Sequence, residues 1–276
     1  MKHQEYSLGQ YDQPIFGQSW IPESEPHAVI ALIHGLGEHS GRYGTHFAEH
    51  FTNKGVAVFA IDLPGHGKSP GIRGHIKDEN EIIWCITLLI QKCRQEHPQS
   101  PIFLYGHSLG GSFVLWYAIN NSNGIKAAIV TSPAVKTFEP VPALKYLIAK
   151  GINKIYPSLL LNNGLNQEYL SHEKQIIKDY QDDPLVHAYV SARLGLVSLE
   201  KGLYILENAA KIKCPVLLMV GENEKIVDPE AVDELSRKIV GVKYKVWPGL
   251  YHEIHNEPQK KEVLDFACKW IFEQAG

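Results

Sequence analysis

The sequence predicts an α/β fold with a mostly parallel central sheet, and three observations carry that prediction. Apolar runs of strand length recur along the chain, segments with helical spacing separate most of them, and most runs are apolar on consecutive residues rather than on alternate ones. Such a strand is buried on both faces, and helical crossovers join parallel neighbours. The runs are Ala28–Ile33, Gly55–Ile61, Pro101–Tyr105, Lys126–Thr131, Val216–Val220 and Val242–Trp247. Between them Tyr43, Phe47 and Phe51 step by four, Ile82, Ile83, Ile86, Leu89 and Cys93 make a fuller helical stripe, and Val263, Phe266, Ala267 and Trp270 repeat it near the end. The segment up to Trp20 is expected to add an antiparallel edge.

The alternation fails between about Ser132 and Gly202, where the chain turns helical and irregular, and it resumes at Lys213. An insertion between sheet strands sits at the strand ends, where open α/β folds bind ligands. The expectation is therefore one domain, with a core of 1–133 and 200–276 and a cap over about 134–199. Of the 276 residues 44% are hydrophobic, typical of a packed globule and inconsistent with disorder or collagen-like repeats. Lys and Arg total 27 against 30 Asp and Glu, and no block of like charge marks a nucleic-acid tail. No run approaches the roughly 18 apolar residues of a membrane span, and nothing near the start reads as an export signal. Four cysteines, Cys85, Cys93, Cys214 and Cys268, are too sparse for a disulfide scaffold and read as reduced core residues. A cytoplasmic protein is expected.

Directly after the run ending at Tyr105 stands Gly106-His107-Ser108-Leu109-Gly110-Gly111, followed by the helical stretch Ser112–Ile119. G-x-S-x-G between strand and helix is the pattern of a nucleophile elbow, a turn that strains the serine backbone and needs glycines on either side. The alternative is an ordinary glycine-rich turn in which Ser108 caps the helix. A serine needs a base held by an acid, and in chain order these follow it. The acid is expected after Val216–Val220, in Gly221-Glu222-Asn223-Glu224-Lys225-Ile226-Val227-Asp228. Asp228, before a Pro-initiated helix, is the candidate, with Glu222 and Glu224 read as solvated loop charge. The base is expected after the next strand, where His252 and His255 compete and His252 lies nearer the strand end. The oxyanion would be held by the backbone N–H groups of Leu109 and of Leu36 in Ile33-His34-Gly35-Leu36-Gly37.

Together HGLGEHSGRY (His34–Tyr43), DLPGHGKSPGIRGHI (Asp62–Ile76), GHSLGG (Gly106–Gly111), GENEKIVD (Gly221–Asp228) and YHEIHNE (Tyr251–Glu257) resemble the monoacylglycerol lipase and lysophospholipase branch of the serine α/β-hydrolases. The match runs from the first core strand to the last helix, and the string around Glu38 and Arg42 is its specific part. The resemblance implies the α/β-hydrolase fold, a triad of Ser108, Asp228 and His252, and oxyanion donors at Leu36 and Leu109. It also implies glycerol-head contacts at Glu38, Arg42, Tyr180 and His255, although Glu38 and Arg42 suit an internal ion pair equally well. Many relatives carry aspartate where this chain has Glu224, a departure expected to leave the triad alone while altering loop hydrogen bonds. The implied activity is ester hydrolysis on a monoacylglycerol, or alternatively on a lysophospholipid or a broader ester or thioester; a catalytically silent lipid-binding module is the reading from another class.

No cofactor or metal is called for. Gly35-x-Gly37-x-x-x-Gly41 has one residue too many for a dinucleotide fingerprint, Gly67-Lys68-Ser69 lacks the earlier glycine of a P-loop, and His252-Glu253-Ile254-His255 is one residue short of a zinc motif. Val141–Leu161 mixes apolar residues with Lys145, Lys150 and Lys154 and has no acid, a composition suited to weak contact with a membrane interface. A cap helix over an acyl tunnel fits the same residues.

Overall fold

The computed structural model describes residues 1–9, 14–121 and 124–276. In chain order the elements are β1 (Lys2–Leu8), β2 (Ile15–Ile21), β3 (Ala28–Ile33), α1 (His46–Asn53), β4 (Val56–Ile61), α2 (Glu79–Glu96), β5 (Ile102–His107), α3 (Leu109–Asn120), β6 (Ala127–Thr131), α4 (Ala143–Ile155), β7 (Leu160–Asn162), α5 (Lys174–Asp182), β8 (Tyr189–Ser191), α6 (Ala192–Asn208), β9 (Val216–Gly221), α7 (Pro229–Lys238), β10 (Lys243–Trp247) and α8 (Lys260–Ala275). Eight strands form one sheet in the order β1-β2-β4-β3-β5-β6-β9-β10. The six from β4 to β10 run parallel, and β1 and β2 add the expected antiparallel edge.

Alternate side chains of each strand feed two cores, because successive Cβ atoms point to opposite faces. Val29, Ala31 and Ile33 of β3 join the apolar stripes of α2 and α3, while Ala28, Ile30 and Leu32 join α1 and α8. This is why the runs are continuously apolar. Helix α3 is apolar on all sides and almost wholly buried, which suits a helix enclosed by sheet and neighbouring helices.

The strand order reverses at β3 and β5: β4, reached through α1, lies on one side of β3, and β5 lies on the other, all three parallel. At such a switch the loops leaving adjacent strands diverge and open a crevice at their carboxyl ends. The loop after β3 and the turn after β5 are those carrying Leu36 and Ser108.

Between β6 and β9 the inserted segment holds α4, α5 and a two-stranded antiparallel pair, β7 with β8, that its sequence did not announce. Helix α6 runs unbroken through the expected cap boundary at residue 199 and packs along α3, so its second half belongs to the core. Among the described residues no helix is long and apolar enough to cross a membrane.

Candidate active site

Ser108 lies between β5 and α3 with φ 53° and ψ −119°, a left-handed conformation unusual for any residue but glycine. Hydrogen bonds hold it there: Ser108 N–H donates to Thr131 O at 2.9 Å, and Ala134 N–H donates to Ser108 O at 3.1 Å. The flanking glycines are required by space. A Cβ on Gly110 would stand 2.3 Å from Ile33 O, and one on Gly106 would stand 2.4 Å from Gly110 O. The turn is thus the strained elbow expected from the sequence, and Ser108 is no helix cap in the ordinary sense, since its side chain makes no cap hydrogen bond.

Leu109 is the first residue of α3, so its N–H has no intrahelical partner and points out from the helix start. The facing loop is stiffened by Glu38, whose Oε1 accepts from Gly35 N–H at 2.7 Å and from the Tyr43 hydroxyl at 2.9 Å. That grip fixes the His34–Gly35 peptide, and His34 Nδ1, 2.7 Å from Gly35 O, holds the next one, which carries the Leu36 N–H. A Cβ on Gly35 would lie 3.3 Å from Ser108 Cβ, which measures how closely the two loops meet.

His252 is buried, and its Nδ1 lies 2.8 Å from Glu224 Oε2. Glu224 Oε1 accepts from Ile226 N–H at 2.8 Å and Val227 N–H at 3.2 Å, so the carboxylate is held on both sides. This corrects the assignment of Asp228. Asp228 caps α7: its Oδ1 accepts from Glu230 N–H at 2.9 Å, with Pro229 opening the helix. The partner of His252 Nδ1 is Glu224, and the hydrogen bond that the Asp228 side chain accepts comes from its own helix start. The signal was available, since Glu224 occupies the position where the resemblance has aspartate. Glu224, taken as solvated loop charge, is among the most buried carboxylates in the chain.

Burial alone would lower the His252 pKa, but the Glu224 carboxylate and its hydrogen bond, with Glu253 and Glu38, raise it. Burial would raise Glu224, and the adjoining imidazole and the two backbone donors outweigh that and lower it. His107, whose ring centroid lies 4.7 Å from that of His252, is pushed down to about 4 by burial and by His252.

The four expected head-group residues come together. Arg42 Nη1 donates to Glu38 Oε2 at 2.6 Å, and its guanidinium lies 4.8 Å from the centre of the Tyr180 ring. His255 stacks on Tyr43 and abuts His107, with its buried Nδ1 lacking a partner among the described residues. A fifth member is Glu253, which sequence reasoning passed over: it binds Arg42 through both oxygens, at 2.6 and 2.8 Å. Its signal was adjacency to His252. One guanidinium is therefore shared by two buried carboxylates, the ion-pair alternative for Glu38 and Arg42 enlarged by one acid. Among the described residues no cluster of three or more His, Cys, Asp or Glu side chains could hold a metal.

Residues 24–259 match the family described as serine aminopeptidase, S33. The chain is 32% identical over 255 residues to a monoacylglycerol lipase of Mycolicibacterium smegmatis, covering 91% of this chain and 90% of that one. A phospholipase of Bacillus subtilis is 34% identical over 248 residues, covering 88% and 94%. Among solved structures, the monoacylglycerol lipase of Paleococcus ferrophilus superimposes with a TM-score of 0.86 at 34% identity, covering 94% of this chain and 99% of that one. Fold, elbow and relatives agree: the chain belongs to the monoacylglycerol lipase family of serine α/β-hydrolases.

Proposed function

We propose that this serine ester hydrolase cleaves a monoacylglycerol to glycerol and a fatty acid, with Ser108 as nucleophile, His252 as base and Glu224 as the acid that orients it. The observation that carries the mechanism is the buried His252–Glu224 bond beside the strained Ser108 elbow. Glu224 fixes the tautomer with the proton on Nδ1, leaving the Nε2 lone pair to take the Ser108 proton as Oγ attacks the ester carbonyl. The oxyanion then rests on the N–H groups of Leu36 and Leu109. His252 returns the proton to the departing alcohol, and water, activated by the same imidazole, releases the acid.

The charge around the site supports an uncharged head group. Arg42, the cation nearest to hand for a phosphate, is already bound by Glu38 and Glu253. A lysophospholipid would bring its phosphate to a site whose cation is neutralised, so the phospholipase reading ranks second. The test is twofold. Wild type should be labelled by a fluorophosphonate at Ser108 and Ser108→Ala should not; turnover of monoacylglycerols should exceed that of lysophospholipids of equal chain length. Labelling elsewhere sinks the mechanism, and faster lysophospholipid turnover sinks the substrate.

We also propose that α4 rests on an anionic lipid surface. Leu144, Leu147, Ile148 and Ile155 share one helix face and are all exposed, and no residue of α4 is buried. Lys145, Lys150 and Lys154 flank this stripe, an arrangement that keeps apolar stems in the interface and ammonium groups at the headgroups. The four cysteines are free and buried, which supports a reducing, cytoplasmic setting.

A further inference from the structure

The inserted segment does more than cover the site: part of it is built into the support of His252. His252 N–H donates to Tyr169 O at 3.2 Å and Glu253 N–H donates to Leu170 O at 2.8 Å, so a stretch of the insertion pairs with the backbone on either side of the imidazole. The His252 carbonyl is fixed separately, accepting from the Ser132 hydroxyl at 2.9 Å.

One carboxylate ties this seam together. Glu257, with its side chain fully buried, accepts from Tyr251 N–H through Oε1 at 2.6 Å and from His172 N–H through Oε2 at 2.9 Å. His172 Nδ1 meets Oε1 at 3.0 Å, and the Ser171 hydroxyl reaches Oε2 at 3.2 Å. Tyr251 is the residue before the base, and Ser171 and His172 belong to the insertion. The His172 ring stacks on the Tyr251 ring at 3.8 Å, and Lys225, next to Glu224, lies 4.9 Å from the Tyr169 ring centre and 5.9 Å from that of Tyr251. The acid loop, the base loop and the insertion thus form one layered block.

We propose that Glu257 is a positioning residue, a clamp that uses the insertion to hold the loop carrying His252 at the distance Glu224 requires. The inference rests on His252 being the base. Releasing the clamp removes no group that touches the reacting ester but lets the loop that carries His252 drift, and misplacement on the order of 1 Å costs about a hundredfold in rate. A loosened His252–Glu224 bond also removes much of what keeps the imidazole protonated. The charged and titratable groups facing that ring, Glu224, Glu253, Glu38 and His107, all remain.

The full-length chain carries the test, as Glu257→Gln, His172→Ala and His172→Asn on a soluble p-nitrophenyl ester. Glu257→Gln and His172→Ala should lower kcat about tenfold to a hundredfold with KM little changed, and should move the acid limb of kcat/KM to lower pH. His172→Asn, whose amide nitrogen replaces Nδ1 as donor, should restore both. Purely structural damage would lower the folded fraction without moving the limb. A folded Glu257→Gln with the wild-type limb overturns the proposal. Should that variant not fold, His172→Ala decides alone, since its ring is 42% exposed, and wild-type kcat and limb there overturn it equally. Failure of the underlying reading looks different: wild type itself would then escape fluorophosphonate labelling at Ser108.

Discussion

Glu224 Oε2 stands 2.8 Å from His252 Nδ1, and both side chains are sealed from solvent. A glutamate thus occupies the place of the usual aspartate, reaching the imidazole with one more methylene while two backbone N–H groups hold its other oxygen.

Glu224→Gln should lower kcat by about 10³–10⁴, because an amide leaves the imidazole tautomer unspecified. Glu224→Asp should lose about a hundredfold, since the shortened chain withdraws the carboxylate from the ring. Asp228→Ala should keep wild-type turnover and lose about 1 kcal/mol of stability as a removed helix cap. Steady-state kinetics with urea unfolding separates the three; a collapse of activity in Asp228→Ala would reverse the assignment.

The pH profile follows from the direction of the His252 shift. The base works neutral, and its pKa is raised above the usual 6.5, so kcat/KM should fall as pH drops through a midpoint above 6.5. Glu224→Gln should move that midpoint down. A midpoint below 6.5 in wild type, read from residual activity across pH 5 to 9, contradicts the geometry.

Arg42→Met strands two buried carboxylates and should cost about 3–5 kcal/mol. The sign with pH should also invert. Glu38 and Glu253 have lowered pKa values in the folded chain, so wild type keeps their stabilisation above the usual 4.5 and loses it as pH falls through the folded values. Without Arg42, burial raises both groups, and the variant should gain stability on acidification from pH 8 to pH 5. Chemical unfolding at several pH values reports the slope.

Replacing Leu144, Leu147 and Ile148 together by serine should weaken sedimentation with anionic vesicles about tenfold or more, from the apolar area withdrawn from the interface. All three are exposed, so melting temperature and hydrolysis of a soluble ester should hold. Equal binding by wild type and variant removes α4 from the contact, and a monomer–dimer shift without lipid makes the stripe a contact between copies.

The parallel core was legible because every central strand is buried on both faces and therefore apolar throughout. Ser108 was legible because strain, flanking glycines and a following helix are local properties. The acid was misread for a physical reason: Asp before Pro is a strong helix-start signal, and Asp228 is the N-cap of α7. The burial of Glu224 is settled by a histidine 28 residues further on, and that of Glu253 by an arginine 211 residues earlier, which no local pattern encodes.

The insertion is fastened to the core at several places, and two of them lie beside the catalytic loops. His187 N–H donates to Gly37 O beside the oxyanion loop, Tyr169 and Leu170 accept from the base loop, and α4 lies beyond both. The pairing of β7 with β8 joins the stretch that carries α4 to the stretch that grips the catalytic loops, so the two are one unit. An exchange of this segment between relatives would have to carry both together, and would alter the support of His252 along with the surface that α4 presents.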